Sequence, residues 1–169
     1  MSVSDWLAEG TVYDSDGNIS NGVIPVIDDM QDSTFDINQG IRRGQTQFAV
    51  NILHGDFYKV AKKLFLESDS LNISWLITDE FIGLLKNGDV DAIDRFETAL
   101  QVRMQTGKGY ITKIDTMNRN KAQVFKDLNL EVKASNLCVA PETKILTREG
   151  YEIIGDLEGQ EVDVWNGQE

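Results

Sequence analysis

Of 169 residues, one is cysteine, one is histidine and two are proline. A single thiol, Cys138, cannot close a disulfide within the chain; this fits a reducing compartment and leaves a free sulfur to be explained. A single histidine, His54, offers neither a histidine-rich metal cluster nor a Cys-His pair at a recognisable spacing, and its plain role is a polar side chain closing a strand. Basic residues are scarce as well: 16 Lys and Arg stand against 28 Asp and Glu, a formal charge of -12. Such a surface cannot displace counterions from a phosphate backbone, so nucleic acid is excluded as a direct ligand. No apolar run approaches the roughly 20 residues that a membrane span requires. Residues 1–9 carry neither the basic start nor the apolar stretch of a secretory leader. No membrane partner is expected, and the expected location is the cytoplasm.

What is present is the composition of a globular protein, 41% apolar and 26% charged, long enough for one ordinary core and a small appendage. A turn cluster at residues 13–18 precedes a helix expected over residues 21–37, where Val23, Val26, Ile27 and Met30 recur at helical spacing. Asp28, Asp29, Asp32 and Asp36 fall on its wet face. Residues 48–53 read as a buried strand and residues 57–66 as a helix with Val60 and Leu64 inward. A second strand at residues 73–77 leads to Thr78, placed to cap a helix that Asn87-Gly88 ends. A further helix over residues 92–105 aligns Ile93, Phe96, Leu100 and Met104, stops at Gly107, and gives way to a strand at residues 110–114. Alternating strands and helices predict an α/β fold with parallel strands joined by crossovers.

Beyond Cys138 the helical period is lost. Residues 144–147, 151–154 and 161–165 read as short strands with turns between them, an all-β segment. Asn166-Gly167 is a hairpin signal with almost no chain after it, which leaves residues 161–165 as an edge that another polypeptide is expected to complete.

Several motif-like strings fail on inspection. Asp14-x-Asp16-x-Asn18 imitates a calcium loop, yet Ile19 holds the glycine position and Pro25 the bidentate-glutamate position. Thr106-Gly-Lys-Gly109 has Val102 in place of the first P-loop glycine and Gly109 in place of the hydroxyl, so a helix cap is the better reading. Asn18-Ile-Ser20 and Asn72-Ile-Ser74 match a glycosylation pattern by chance.

Six strings occur in an order that resembles the large subunit of class I ribonucleotide reductase: Asn21-Gly-Val-Ile-Pro25, Asn38-Gln-Gly-Ile-Arg-Arg-Gly44, His54-Gly-Asp56, Asn72-Ile-Ser-Trp-Leu-Ile-Thr-Asp-Glu-Phe81, Arg103-Met-Gln-Thr-Gly107 with Tyr110-Ile111, and Ser135-Asn-Leu-Cys138. The resemblance implies a partial ten-stranded α/β barrel over residues 1–137, cut from a fold in which a cysteine thiyl radical takes a hydrogen atom from a ribonucleoside diphosphate. It implies that Ser135, Asn136 and Leu137 contact substrate and that Asn136 is also a catalytic residue. It further implies a small subunit whose metal generates the radical, a thioredoxin- or glutaredoxin-type reductant, and further large-subunit segments as partners; no cofactor is assigned to this chain. Two departures stand out. The family's glutamate two residues after the cysteine is Ala140 here, and no second cysteine exists to form the redox pair, so the chain alone is not expected to reduce nucleotides.

From Cys138 onward, Thr143, Ile145, Leu146, Thr147, Gly150, Ile153, Asp156-Leu157, Gly159 and Val162 resemble the first block of an intein, the start of a Hint fold. That resemblance makes residues 138–169 an intein N-terminal segment inserted in front of the true reductase cysteine, with residues 1–137 as its N-extein. Leu137 and Cys138 then form the splice junction, where the catalytic thiol of Cys138 attacks the Leu137 carbonyl in an N-to-S acyl shift. The Thr-x-x-His block and the His-Asn end of an intein are missing from the chain, so a C-terminal intein and extein half is an expected partner. Two other readings stay open: an uninterrupted reductase piece whose Cys138 is the radical cysteine, followed by an unrelated β tail, and an α/β interaction module in which Cys138 fills a core.

Overall fold

The structure is a computed structural model that describes residues 1–36, 38–39, 42–43, 46–135 and 141–164, and side chains outside residues 34–45. The chain divides into two compact units, Met1–Ala134 and Ser135–Glu169.

The first unit is built on three strands, β3 (Gln47–Asn51), β4 (Asn72–Ile77) and β5 (Tyr110–Lys113), all parallel and in chain order. Before them come α1 (Ile24–Asp36) and the two-residue antiparallel pair β1 (Asn38–Gln39) and β2 (Arg42–Arg43). Crossovers between parallel strands require helices, and these are α2 (Phe57–Leu66) between β3 and β4, then α3 (Asp79–Lys86) and α4 (Val90–Thr106) between β4 and β5. Period-2 alternation sends Phe48, Val50, Ile73, Trp75 and Ile77 into the core shared with the helices, where they meet Phe57, Val60, Leu64, Phe81 and Ala99. Ala49 and Leu76 point to the other face, where Ile114 and Val132 pack with them. Fully buried Trp75 and Phe57 lie with ring centroids 4.8 Å apart; burying each aromatic side chain contributes on the order of 2 kcal/mol.

Local chemistry sets the helix limits. Thr78 accepts a hydrogen bond from the Phe81 amide at 3.2 Å and so caps α3, as its position in the sequence predicts. Asp89 caps α4 by accepting from the Ala92 amide at 2.9 Å, so the helix begins at Val90, two positions earlier than the apolar period alone places its start. Gly107 ends that helix at φ +72°, the left-handed conformation expected of a stop glycine. The phase of α4 differs from expectation. Ala92, Ala99 and Val102 are its buried residues, whereas Ile93 is exposed and Met104 is 86% exposed. Phe96 does pack against the core, with its ring centroid 6.3 Å from that of Phe81, while Ile93 and Met104 are turned outward.

Residues 1–3 run parallel to β3: the Val3 amide donates to the Ala49 carbonyl at 2.9 Å and the Ala49 amide to the Met1 carbonyl at 2.7 Å. On α1, Asp29 and Asp32 are exposed as expected, while Asp28 is half-buried and pairs with Lys63 of α2 at 2.6 Å. Burial works against the Lys63 ammonium, but hydrogen bonds to Asp28 and Glu67 outweigh it and raise its pKa. After β5 follow two short helices, α5 (Ile114–Arg119) and α6 (Gln123–Asp127). β3, β4 and β5 form an open sheet, and the described strands close no barrel; three parallel strands cannot curl far enough to meet, since closure takes about eight.

In the second unit, β6 (Lys144–Thr147) and β7 (Gly150–Ile153) form an antiparallel hairpin, close to the strands expected there. Two expectations are corrected. A 3-10 turn at Ile154–Leu157 interrupts the all-β pattern, and residues 161–164 form no strand, meeting β6 through one bridge, Thr147 to Val164. Gly159 at φ +77° and the Gln160-to-Leu157 bond at 3.0 Å turn the chain back, so that only its far end reaches β6. The hairpin signal at Asn166-Gly167 lies outside the described residues. Within this unit, Thr147 is the one buried side chain among the described residues.

Candidate functional site

Of the residues singled out in the sequence, Ser135 is described and half-buried, whereas Asn136, Leu137 and Cys138, together with Ala140, lie outside the described residues. What can be built from the residues upward is therefore the chain on either side.

On the upstream side, residues 128–135 belong to no helix or strand, yet side chains hold them in place. Lys121 donates from Nζ to the Leu130 carbonyl at 2.6 Å. Asn118, on α5, donates from Nδ2 to the Val132 carbonyl at 2.9 Å and accepts from the Val132 amide through Oδ1 at 2.8 Å. A primary amide thus pairs with a residue's backbone as a neighbouring strand would, while the Val132 side chain packs against Ala49, Leu76 and Ile114. Lys133 pairs with Asp5, and the hydrogen bond to Asp5 is the first cause of its raised pKa. On the downstream side, the Gly155 amide donates to the Pro141 carbonyl at 2.9 Å and the Ile154 amide to the Thr143 carbonyl at 2.8 Å. A Cβ on Gly155 would lie 2.9 Å from that Pro141 oxygen, so glycine permits the approach. Thr147 closes the β6–β7 turn, donating to the Gly150 carbonyl at 3.0 Å and accepting from the Glu149 amide at 3.2 Å.

The family-like string His54-Gly-Asp56 does structural work. Buried Asp56 accepts from the Glu9 amide at 3.1 Å and from the Val23 amide at 3.1 Å, which places its carboxylate at the N-terminal end of α1. His54 Nδ1 accepts from the Asp56 amide at 3.0 Å, so Nε2 carries the hydrogen donated to the Trp6 carbonyl at 2.8 Å. Gly55 lies where a Cβ would meet that of Ala8 at 2.6 Å. His54 therefore does close the end of a strand, and the sequence carried no sign that it does so by holding residues 6–9. Arg95 of α4 braces the same turn through Nη1 to the Ile52 and His54 carbonyls, at 3.1 and 3.0 Å, with its guanidinium 5.2 Å from the Tyr58 ring centroid. The Tyr58 hydroxyl donates to Asp94 at 2.6 Å, and that bond, with partial burial, pushes its pKa up to about 12.

At the C-terminal end of the sheet, where open α/β folds place ligands, the Asp79 amide donates to Asp115 at 2.7 Å and Arg119 pairs with Asp79. These groups are exposed and satisfy one another. The rejected calcium string is a self-contained turn: Asp14 accepts from the Asp16 and Asn18 amides and from Asn18 Nδ2 at 2.6 Å, and that last bond leads the causes that lower its pKa. No group of three or more potential metal ligands occurs among the described residues, and no helix among them is long and apolar enough to cross a membrane.

Comparison with known proteins bears on this arrangement. No family model matches the chain. Over 157 residues it is 35% identical to the ribonucleoside-diphosphate reductase large subunit of Invertebrate iridescent virus 6, covering 77% of this chain and 16% of the relative. The corresponding large subunit of Invertebrate iridescent virus 3 is 38% identical over 64 residues, covering 38% of this chain and 10% of that protein. The solved class Id ribonucleotide reductase alpha subunit of Actinobacillus ureae superposes with a TM-score of 0.64 at 25% identity, over 85% of this chain and 26% of that one. The chain thus spans about a sixth of the first of these relatives. In sequence and in fold alike, it is similar to a segment of the large subunit of class I ribonucleotide reductase.

Proposed function

We propose that the chain is part of a ribonucleoside-diphosphate reductase large subunit, interrupted at its radical-cysteine strand by the first segment of an intein. The observation that carries this reading is the coincidence at one residue: the reductase-like Ser135-Asn136-Leu137 runs directly into Cys138, from which the intein-like block begins. Ala140 in place of the reductase glutamate follows naturally, because the reductase cysteine and its glutamate would begin the downstream extein.

The chemistry of the chain itself is then an acyl transfer. The Cys138 thiolate attacks the Leu137 carbonyl carbon, a C–S bond forms as the C–N bond breaks, and the thiol proton ends on the new amino group of Cys138. The product is a thioester between residues 1–137 and the side chain of Cys138. Completion requires a C-terminal intein and extein half; ligation would restore a large-subunit stretch in which Ser135, Asn136 and Leu137 face a ribonucleoside diphosphate. The complete enzyme would take its radical from a metal-containing small subunit and its electrons from a thioredoxin- or glutaredoxin-type reductant, and would supply deoxyribonucleotides. No residue of this chain is assigned to that metal.

Incubation of the full chain with dithiothreitol, followed by mass spectrometry, tests the acyl shift. Release of residues 1–137 as the dithiothreitol thioester, abolished by Cys138→Ala, is the expected result. An intact parent chain overturns it and leaves the uninterrupted reductase segment, with Cys138 as the radical cysteine and an unrelated β tail.

A further inference from the structure

We infer that the groove between α2 and α4 is a binding site for a small aromatic carboxylate, with the ring system against Tyr58 and Phe65 and the anion on Lys62. The inference stands apart from the acyl shift and uses the first unit alone. Ala61 of α2 and Val102 of α4, 2% and 7% exposed, form the floor of a groove of about 250 Å³. Tyr58, Lys62 and Phe65 line one side and Gln101 lies on the other; no lining residue is acidic. Such a mostly apolar concavity with a few polar groups has the make-up of a small-molecule site. Its volume equals that of roughly eight water molecules at ~30 Å³ each, room for one or two fused rings. A docked polypeptide would cover on the order of 800 Å², far more than two turns of each helix offer.

Charge selects the ligand. Of the three lysines on α2, Lys59 is held by Glu9 at 2.6 Å, and Lys63 by Asp28 and Glu67 at 2.6 and 2.7 Å. Lys62 stands exposed between them with no ion pair or hydrogen bond among the described residues. In a chain of 28 acidic and 16 basic residues, that leaves a cation beside the groove for an incoming anion. One ammonium group matches a single negative charge, whereas phosphate recognition gathers several donors. The aromatic wall is set in advance. The Tyr58 hydroxyl donates to Asp94 at 2.6 Å and the Arg95 guanidinium lies 5.2 Å from the ring centroid, so the ring keeps its place without a ligand. Phe65, two turns along the helix, is 47% exposed, an apolar face that a flat ligand would cover. Asp91 and Asp94 at the Tyr58 hydroxyl repel a carboxylate from that end and turn it toward Lys62.

The experiment titrates the full chain with three probes of one shape, 2-naphthoate, 2-naphthalenemethanol and 2-naphthylmethylammonium, and follows backbone amides by NMR. Shifts are expected at Tyr58, Phe65 and Gln101, with the carboxylate bound more tightly than the alcohol by about fivefold, the range open to an exposed ion pair. Lys62→Gln should abolish that preference, and Lys62→Glu should transfer it to the ammonium probe. Because the Lys62 side chain is exposed, the β4 amides should stay in place in both variants and serve as the check on folding. Phe65→Ser should weaken all three probes alike. Binding that ignores the charge of the probe, a preference that survives Lys62→Gln, shifts that map elsewhere, or no binding at all overturns the inference. None of these results touches the acyl shift, which is read by cleavage.

Discussion

Asp56 holds together parts of the first unit that are far apart in the chain. Its side chain is among the buried ones, at 2% exposure, and receives amides from Glu9 and Val23. Truncation in Asp56→Ala leaves both donors without a partner and is expected to cost about 2–4 kcal/mol, read from the urea midpoint of the full chain. Gly22→Ala should act on the same contact, because a Cβ there would lie 2.4 Å from Asp56 Oδ2 and the backbone sits at φ +76°. A second residue-scale expectation concerns pH. The folded state raises the pKa of Tyr58 from about 10 to about 12, chiefly through the bond to Asp94, so it favours the protonated phenol. That contribution is complete below pH 10 and disappears as pH rises through 12; a Tyr58→Phe chain should show a shallower loss of stability across that window in alkaline melts. His54-Gly-Asp56 stood out in the sequence as a string, but its use did not, because the partners are backbone groups more than 30 residues away.

At the scale of elements, period and caps were readable where large apolar side chains face the core. The helix over residues 57–66 and the Thr78 cap stand as expected because Phe57, Val60 and Leu64 leave no ambiguity of face. The phase of α4 was read only in part because the pattern was sought in the large residues: Phe96 does pack on the core, but the buried positions are Ala92, Ala99 and Val102, and Ile93 and Met104 face out. The difference is testable. Ala99→Leu should overpack the core beneath α4 and destabilise by about 1–3 kcal/mol, while Met104→Glu, at a position 86% exposed, should stay within about 0.5 kcal/mol in the same thermal melts. Residues 161–164 were missed as non-strand because alternation cannot register that a glycine turn leaves a segment out of line with its partner.

For the whole molecule, the two units differ in what they can bury. The core of the first contains Trp75, Phe48, Phe57 and Phe81, all fully buried; in the second, Thr147 is the one buried side chain among the described residues. A unit of that size rarely supports itself without a partner or cross-link. Amides of β6 and β7 are accordingly expected to exchange through local opening, orders of magnitude faster than those of β4, which should open only with global unfolding; equal protection in native-state exchange would contradict this. The site expected at Ser135, Asn136, Leu137 and Cys138 was read from distinctive residue types in a distinctive order, and all of it but Ser135 lies outside the described residues. The pairing of Asn118 with Val132 was not foreseen, because an amide that bonds to backbone 14 residues away leaves no pattern in composition or spacing.

The alignment of residues 1–3 beside β3 has a bearing on self-association. In the sheet order β3-β4-β5, β3 is an outer strand, and a bare outer strand offers its amides and carbonyls as a template on which other polypeptides can add. Here both backbone groups of Ala49 are already engaged, by the Met1 carbonyl and the Val3 amide, so an intruding strand would first have to displace residues 1–3.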